Sequence, residues 1–315
     1  MGKKVENPEV EQTKKNGREA YKYLAPALTT IAVLSCIPML YTLYLSFTNS
    51  TQYTQGAPKF VGLANYQSVI TGPFHNIFIP VFLWTVVYAL FACFGGYIVG
   101  LLLAILVKNK NLKESAVYKA ILIVPWALPA TIAIMSWQGL LNTQYGNINI
   151  VLEHLHIIST PIPWLNDPFW ARTAIIIVTI WLGYPFMMNV CLGALTSIPQ
   201  EYYEAAEVDG ASKFTQFRKI TLPSLVKTSY PLLISSFAFN FNNFGAAYLI
   251  TQGNPPRLNT QWAGYTDILS SSIYKLAINF GQYGIGSALS ILVFILIGTI
   301  TAIQMKKSGQ FEGVE

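Results

Sequence analysis

Long runs of apolar residues dominate the pattern along this chain. Six runs reach the roughly 20 apolar residues that a helix needs to cross a lipid bilayer. A soluble chain would instead disperse its apolar positions at the period of a helix or a strand. Helices are the expected form because lipid offers no water to satisfy open backbone groups. The predicted spans are Leu24–Phe47, Phe78–Val107, Val117–Leu141, Trp170–Leu195, Thr228–Ile250 and Gly284–Met305.

Basic residues are unevenly distributed between these runs, and their distribution predicts the orientation in the membrane. If the tail at residues 1–23 is cytoplasmic, the cytoplasmic side holds 16 of the 20 Lys and Arg residues. The outer side holds only Lys59, Arg172, Arg257 and Lys275. We therefore predict that both termini are cytoplasmic, including a short C-terminal tail at residues 306–315.

The composition agrees with a membrane protein. Hydrophobic residues make up 53% of the 315 residues and charged residues 11%, against about 25% charged in a typical soluble domain. The net charge of +6 reflects topology and not nucleic-acid binding, because no basic face carries interleaved aromatic residues. Cys36, Cys93 and Cys191 lie inside apolar runs without metal-ligand spacing and are interpreted as small packing residues. We expect neither a metal nor a cofactor.

Two absences bear on the function. The sequence contains no glycine-rich loop ending in Gly-Lys-Ser or Gly-Lys-Thr, so another chain must bind ATP if ATP drives this protein. The predicted spans also lack Asp, Glu, Lys, Arg and His, apart from Lys119 and Arg172 at span edges. Proton-coupled carriers usually place such residues at mid-membrane depth. This argues against a proton-driven carrier but leaves sodium coupling through backbone carbonyls open.

The longest internal cytoplasmic segment, residues 196–227, predicts two short helices at the membrane surface. Ser197 is a suitable N-cap for the first, and Gly210 can end it in the left-handed conformation. Ser212 can cap the second helix, which we expect to stop before Pro223.

This segment resembles the EAA loop of ABC importer permeases. The matching residues are Glu204-Ala205-Ala206, Gly210, Ile220 and Leu222-Pro223, at the family's two fixed gaps. In that family the loop docks into a cleft of the ATPase subunit and transmits its motion. The resemblance implies that this contact is made by Glu204, Ala205, Ala206, Asp209 and Gly210. The alternative is an amphipathic surface helix without a partner.

The stretches "WLGYPFMM", "SFAFNFNNFGAAYLITQG" and "AGYTDIL" extend the resemblance to the larger permease subunit of maltose and maltodextrin importers. It implies an all-α, type I ABC importer permease fold over residues 24–305, in the bacterial cytoplasmic membrane. The implied partners are a second permease subunit, two ATPase subunits, an external sugar-binding protein and an oligosaccharide. The chain itself would perform no catalysis. An ion-coupled sugar carrier or facilitator acting without an ATPase is the alternative.

Two stripes of residues in the fourth and fifth predicted spans suit a neutral sugar. Amide groups can bond its hydroxyls, and an aromatic ring can cover its apolar face. Helical spacing predicts that each stripe lies on one helix face. The stripes are Ser236, Phe239, Asn240 and Asn243 in the fifth span, and Thr179, Gly183 and Phe186 in the fourth.

The resemblance puts the family's sugar contacts on these positions. At two of them the enterobacterial form of this subunit has different residues: asparagine at the position of Thr179 and tyrosine at the position of Phe186. Both differences reduce hydrogen-bonding capacity at the stripe. The alternative role for these asparagines is hydrogen bonding to a neighbouring helix, and this is our interpretation of Asn242 on the opposite side.

Overall fold

The computed structural model describes residues 21–109, 112–258, 260 and 262–307. Within these residues extended pairing is limited to one bridge between Thr48 and Phe60, and the all-α prediction is confirmed. The helices are α1 Tyr21–Ser46, α2 Ala64–Ile70, α3 His75–Lys108, α4 Ser115–Leu122, α5 Val124–Ala127, α6 Ala130–Leu140, α7 Asn147–His154, α8 Pro168–Thr196, α9 Gln200–Val208, α10 Lys213–Gln216, α11 Leu222–Phe241, α12 Phe244–Thr251, α13 Leu269–Tyr274 and α14 Tyr283–Lys307.

Four described helices, α1, α3, α8 and α14, are long and apolar enough to cross a membrane. The other two predicted spans are interrupted. The third divides into α4, α5 and α6, with Leu128 extended before Pro129, because a residue preceding proline disfavours the helical conformation. The fifth divides between Phe241 and Phe244. Six crossings therefore remain a prediction, with two of the six spans built from broken helices.

Helices α3 and α8 form the centre of the molecule. A Cβ atom added to Gly100 would lie 2.7 Å from the backbone nitrogen of Met188, so only glycine permits this approach. Gly96 and Gly100 form a small-xxx-small motif of the kind that brings membrane helices close together. Around this contact, Tyr88, Ile175 and Met188 are almost wholly buried. The close packing gives the cavity described below one rigid wall.

Helix α1 contributes little to the core. None of the residues in its most apolar stretch is buried, and its final half packs against α14. Cys36 is exposed on this helix, whereas Cys93 and Cys191 are buried. The packing role expected of Cys36 is therefore not found within the described residues.

The cytoplasmic segment differs from its predicted form at two places. Ser197 ends α8, its hydroxyl donating to the carbonyl of Ala194 at 2.9 Å, and α9 begins only after Pro199. The prediction of Ser197 as an N-cap is wrong, because the long apolar helix extends to Thr196 and Ser197 is its C-cap. The predicted stop before Pro223 is also wrong: a π-helical turn at Phe217–Thr221 joins α10 to α11. Proline at the second position of α11 is tolerated there.

The tails fall mostly outside the described residues. Residues 1–20 and 308–315 lie outside them. The remaining residues of the predicted tails are helical, since α1 begins at Tyr21 and α14 ends at Lys307.

Candidate functional site

A cavity of about 630 Å³ lies between α3, α5, α6, α8, α11 and α12. All seven residues predicted from the two stripes line it. Both helix interruptions border it as well, through Pro125 and Leu128 on one side and Asn243 on the other. Irregular backbone at membrane depth is tolerated where it lines a cavity or is buried in protein. The breaks and the cavity therefore belong to one arrangement.

The fifth-span stripe is not a continuous helix face. Helix α11 ends at Phe241, and the side chain of Asn243 caps α12 by accepting from the backbone nitrogen of Ala246 at 3.4 Å. The prediction of four residues on one helix is wrong at Asn243, because asparagine favours a cap over a helix interior. Asn243 nevertheless lines the cavity together with Ser236, Phe239 and Asn240.

Asn240 is the best-placed amide. Its side chain is largely buried, with 8% exposure, and its Nδ2 donates to the carbonyl of Ser236 at 2.8 Å. This bond fixes the amide orientation and leaves Oδ1 as the group available for a further partner. The preceding residue, Phe239, is 70% exposed and lines the same cavity. An amide beside an aromatic ring suits a sugar, which has both hydroxyls and an apolar face.

Thr179 lines the cavity, but its side chain is less accessible than we predicted for a contact residue. It is only 4% exposed, and its hydroxyl donates to the carbonyl of Ile175 at 2.8 Å and lies 3.1 Å from the Tyr88 hydroxyl. These partners engage the hydroxyl within the protein. Thr179 therefore shapes the wall, whereas Phe186 is 42% exposed at the cavity.

Sequence reasoning missed Trp126. This residue lies in α5, lines the cavity and is 58% exposed. A detectable sign was present, since Trp126 lies between Pro125 and Pro129 in the middle of an apolar run. Prolines so close together predict a broken helix, and a broken helix in a membrane predicts a cavity.

The cavity lining is electrically neutral. No Asp, Glu, Lys, Arg or His is among the described residues that line it. Its polar groups are the amides of Asn240 and Asn243 and the hydroxyls of Ser235, Ser236, Thr131 and Thr179. A charged ligand would enter this cavity without a counter-charge from the described residues, at a substantial desolvation cost. The lining is therefore suited to an uncharged polar ligand.

The second predicted site lies on α9 and the turn that follows it. Glu204, Ala205, Asp209 and Gly210 are exposed, and Ala206 is half-buried. Gly210 has a φ of +75°, which confirms the predicted left-handed helix end. The predicted cap by Ser212 is also confirmed, since its hydroxyl accepts from the backbone nitrogen of Thr215 at 3.3 Å.

Two contacts hold α9 in place. The Tyr203 hydroxyl lies 2.9 Å from that of Thr221, and Lys213 pairs with Glu207. The side of α9 away from these contacts is open, and Val208 there is 89% exposed. An anchored helix with an exposed acidic and apolar face is suited to a protein partner.

Comparison with known proteins identifies this architecture. Residues 96–308 match the family described as "Binding-protein-dependent transport system inner membrane component". The chain belongs to this family. The family's match includes α8, α9, α11 and α12, which carry both predicted sites.

Curated relatives in this transport family include the maltose/maltodextrin transport system permease protein MalF. The Escherichia coli K12 protein is 43% identical over 250 residues, covering 78% of this chain and 48% of MalF. MalF of Vibrio cholerae El Tor is 43% identical over 255 residues with the same coverage. The chain thus spans about half the length of these relatives.

Among solved structures, a bacterial ABC transporter involved in the import of the acidic polysaccharide alginate matches with a TM-score of 0.78. The match covers 96% of this chain and 99% of that chain at 22% identity. At this identity the likeness shows the fold alone, and the fold is that of an ABC importer permease. The chain is therefore a membrane component of a binding-protein-dependent transport system, similar to part of MalF.

Proposed function

We propose that this chain translocates a neutral oligosaccharide of the maltodextrin class through the cavity between α8, α11 and α12. The observation that carries the proposal is the neutral lining of that cavity, which combines two asparagine amides with exposed Phe239 and Trp126. Amides can exchange hydrogen bonds with sugar hydroxyls, and aromatic rings can stack on the pyranose face. The name of the MalF relatives supports the same substrate class.

The fold neighbour named for alginate import carries an acidic substrate, and charge distinguishes the two classes. A uronate-containing chain would need cations along its path, whereas the described lining of this cavity contains none. Neutral maltodextrins need only hydrogen bonds and stacking. This difference favours the neutral class for this chain.

The wider assembly is part of the proposal. A second permease subunit completes the channel, two ATPase subunits bind below, and a sugar-binding protein delivers the substrate from outside. The exposed face of α9, with Glu204, Ala205, Ala206, Asp209 and Gly210, docks into the ATPase subunit. Small alanines allow close seating of a helix in a groove, and Glu204 can meet a basic residue. The chain then alternates between outward and inward access without performing catalysis.

Reconstitution tests this proposal against an ion-coupled carrier. Proteoliposomes containing the complete complex should import labelled maltotriose only with ATP inside and sugar-binding protein outside. Proteoliposomes containing this chain alone should show no uptake under a proton or sodium gradient. Gradient-driven uptake by the chain alone would overturn the proposal. Comparable import of an alginate trisaccharide would overturn the neutral substrate class.

A further inference from the structure

Three of the four basic residues on the predicted outer side lie in one group. Arg172, Arg257 and Lys275 surround Tyr265 and Asp267, whereas Lys59 is exposed and lies outside this group. Short outer segments of membrane proteins usually carry few basic residues. Their concentration at one place is therefore a feature that needs a physical reason.

The two arginines are held in fixed orientations. Nε of Arg172 donates to the carbonyl of Tyr265 at 2.9 Å, and Nε of Arg257 donates to the adjacent carbonyl of Gly264 at 3.0 Å. Both guanidinium groups lie near the Tyr265 ring, at 5.7 Å and 4.9 Å from its centroid. The Arg172 guanidinium also lies 4.6 Å from the ring centroid of Trp84. These contacts orient two like charges without neutralising them.

The nearby carboxylate is already engaged. Asp267 is wholly buried and pairs with Lys275 at 2.6 Å, while also accepting from the backbone nitrogen of Gly264 and the hydroxyl of Ser271. Among the described residues neither arginine forms an ion pair, and Nη2 of Arg257 is buried without a hydrogen-bond partner. Burial lowers the pKa of Arg257, and the nearby Tyr265 and Asp267 offset this effect only in part.

An open polar pocket of about 650 Å³ adjoins this group. Arg257, Lys275, Asn254, Thr260 and Trp262 contribute to its wall. Because Nε of Arg257 is engaged by Gly264 and Nη2 is buried, Nη1 is the group left to give a charge-assisted hydrogen bond to a carboxylate in the pocket. The pocket shares no lining residue with the sugar cavity, so a ligand here would not be the sugar in its translocation path.

We propose that this pocket receives an aspartate or glutamate side chain of the sugar-binding protein, with Arg257 as its main hydrogen-bond donor. The proposal rests on the proposed function, because it requires a binding protein that docks on the outer face. A carboxylate here would supply the counter-charge that Arg257 and Arg172 lack. The site would orient the loaded binding protein over the permease.

The test uses the complete complex in nanodiscs and measures ATP hydrolysis against the concentration of maltotriose-loaded binding protein. Arg257→Gln should raise the half-saturating concentration about tenfold at low salt, because a charge-assisted interfacial contact is lost. The maximal rate should be unchanged, since Arg257 lies outside the cavity and α9. Raising the salt concentration should raise the half-saturating concentration of the parent complex. The difference between parent and variant should therefore become smaller. Lys59→Gln is the matched control and should behave as the parent.

A second arm keeps the permease unaltered in case Arg257→Gln impairs assembly. Acidic residues on the binding protein are replaced one at a time by neutral residues. At least one of these substitutions should raise the half-saturating concentration about tenfold with the parent permease. If the Arg257→Gln complex assembles, the effective substitution on the binding protein should cause no further rise in the half-saturating concentration with that complex.

The outcomes separate the two proposals. If no acidic residue of the binding protein matters, or if Arg257→Gln assembles and keeps the parent's half-saturation, the carboxylate site is overturned. If the parent complex shows no stimulation by any loaded binding protein, the proposed function fails instead. An effect of Arg257→Gln seen only with acidic sugars would assign the site to substrate and overturn the docking role.

Discussion

Substitution of Gly210 isolates the backbone requirement of the turn after α9. Its φ is +75°, and a Cβ atom added there would meet no atom within 4 Å. A side chain at this position is therefore penalised only through the left-handed backbone and not through a clash. That penalty is about 1 kcal/mol for alanine and more for a β-branched residue. About 1 kcal/mol lowers the population of the native turn roughly fivefold.

Three substitutions of Gly210 should reduce coupling to different degrees. Asparagine tolerates the left-handed conformation best, alanine less well and valine least. Stimulated ATP hydrolysis by the reconstituted complex should accordingly fall in the order Gly210→Asn, Gly210→Ala and Gly210→Val. Transport should fall in parallel, because the sugar cavity is unaffected. Retention of the ATPase subunits during purification in detergent provides a second measurement of the same contact.

Gly193→Ala is the matched control. Gly193 lies in α8, has ordinary helical backbone and likewise has no atom within 4 Å of an added Cβ. Alanine there should leave coupling intact, since it improves helix propensity without a clash. If Gly210→Val hydrolyses ATP and imports sugar like the parent, the left-handed turn does not matter for coupling. Equal losses in Gly193→Ala would show a general effect of glycine replacement.

Other predictions follow from the same structure. Asn240→Ala should reduce maltotriose uptake about fivefold, because it removes one hydrogen bond worth about 1 kcal/mol. Asn242 lies outside the cavity, so Asn242→Ala should leave uptake unchanged. Equal uptake by both variants would contradict the proposed site. Reporter fusions at Met1 and Glu315 should place both termini in the cytoplasm, and an external reporter at either would refute the orientation. Asp267→Asn should destabilise the chain by about 1.5–3 kcal/mol, because it removes the charged hydrogen-bond partner of the half-buried Lys275; an unchanged melting temperature in detergent would contradict this.

The fold class, several residues of the cavity lining and the turn at Gly210 could be predicted from the sequence because their causes are local. Apolar run length predicted the spans, and the spacing of Ser236 and Asn240 predicted a polar face. Gly210 predicted a left-handed turn from its own conformational freedom. Each of these inferences depended on residues within one predicted span or one turn.

The breaks and the partners of buried groups could not be predicted in this way. Apolar run length does not show where a span is interrupted. The two nearby prolines indicate the break at Pro129, but no comparable residue marks the break at Asn243. The hydrogen bond between Tyr88 and Thr179 joins residues 91 positions apart. Likewise, Trp84 donates to the carbonyl of Thr266 from 182 positions away. Such contacts depend on how α3 packs against the rest of the chain.

The most direct test of the central claim is the location of the sugar itself. The complete complex can be trapped with a non-hydrolysable ATP analogue and maltotriose-loaded binding protein, then imaged by electron cryomicroscopy. We predict sugar density within hydrogen-bond distance of Asn240 and in contact with the rings of Phe239 and Trp126. Sugar density that touches none of these three residues would contradict the account.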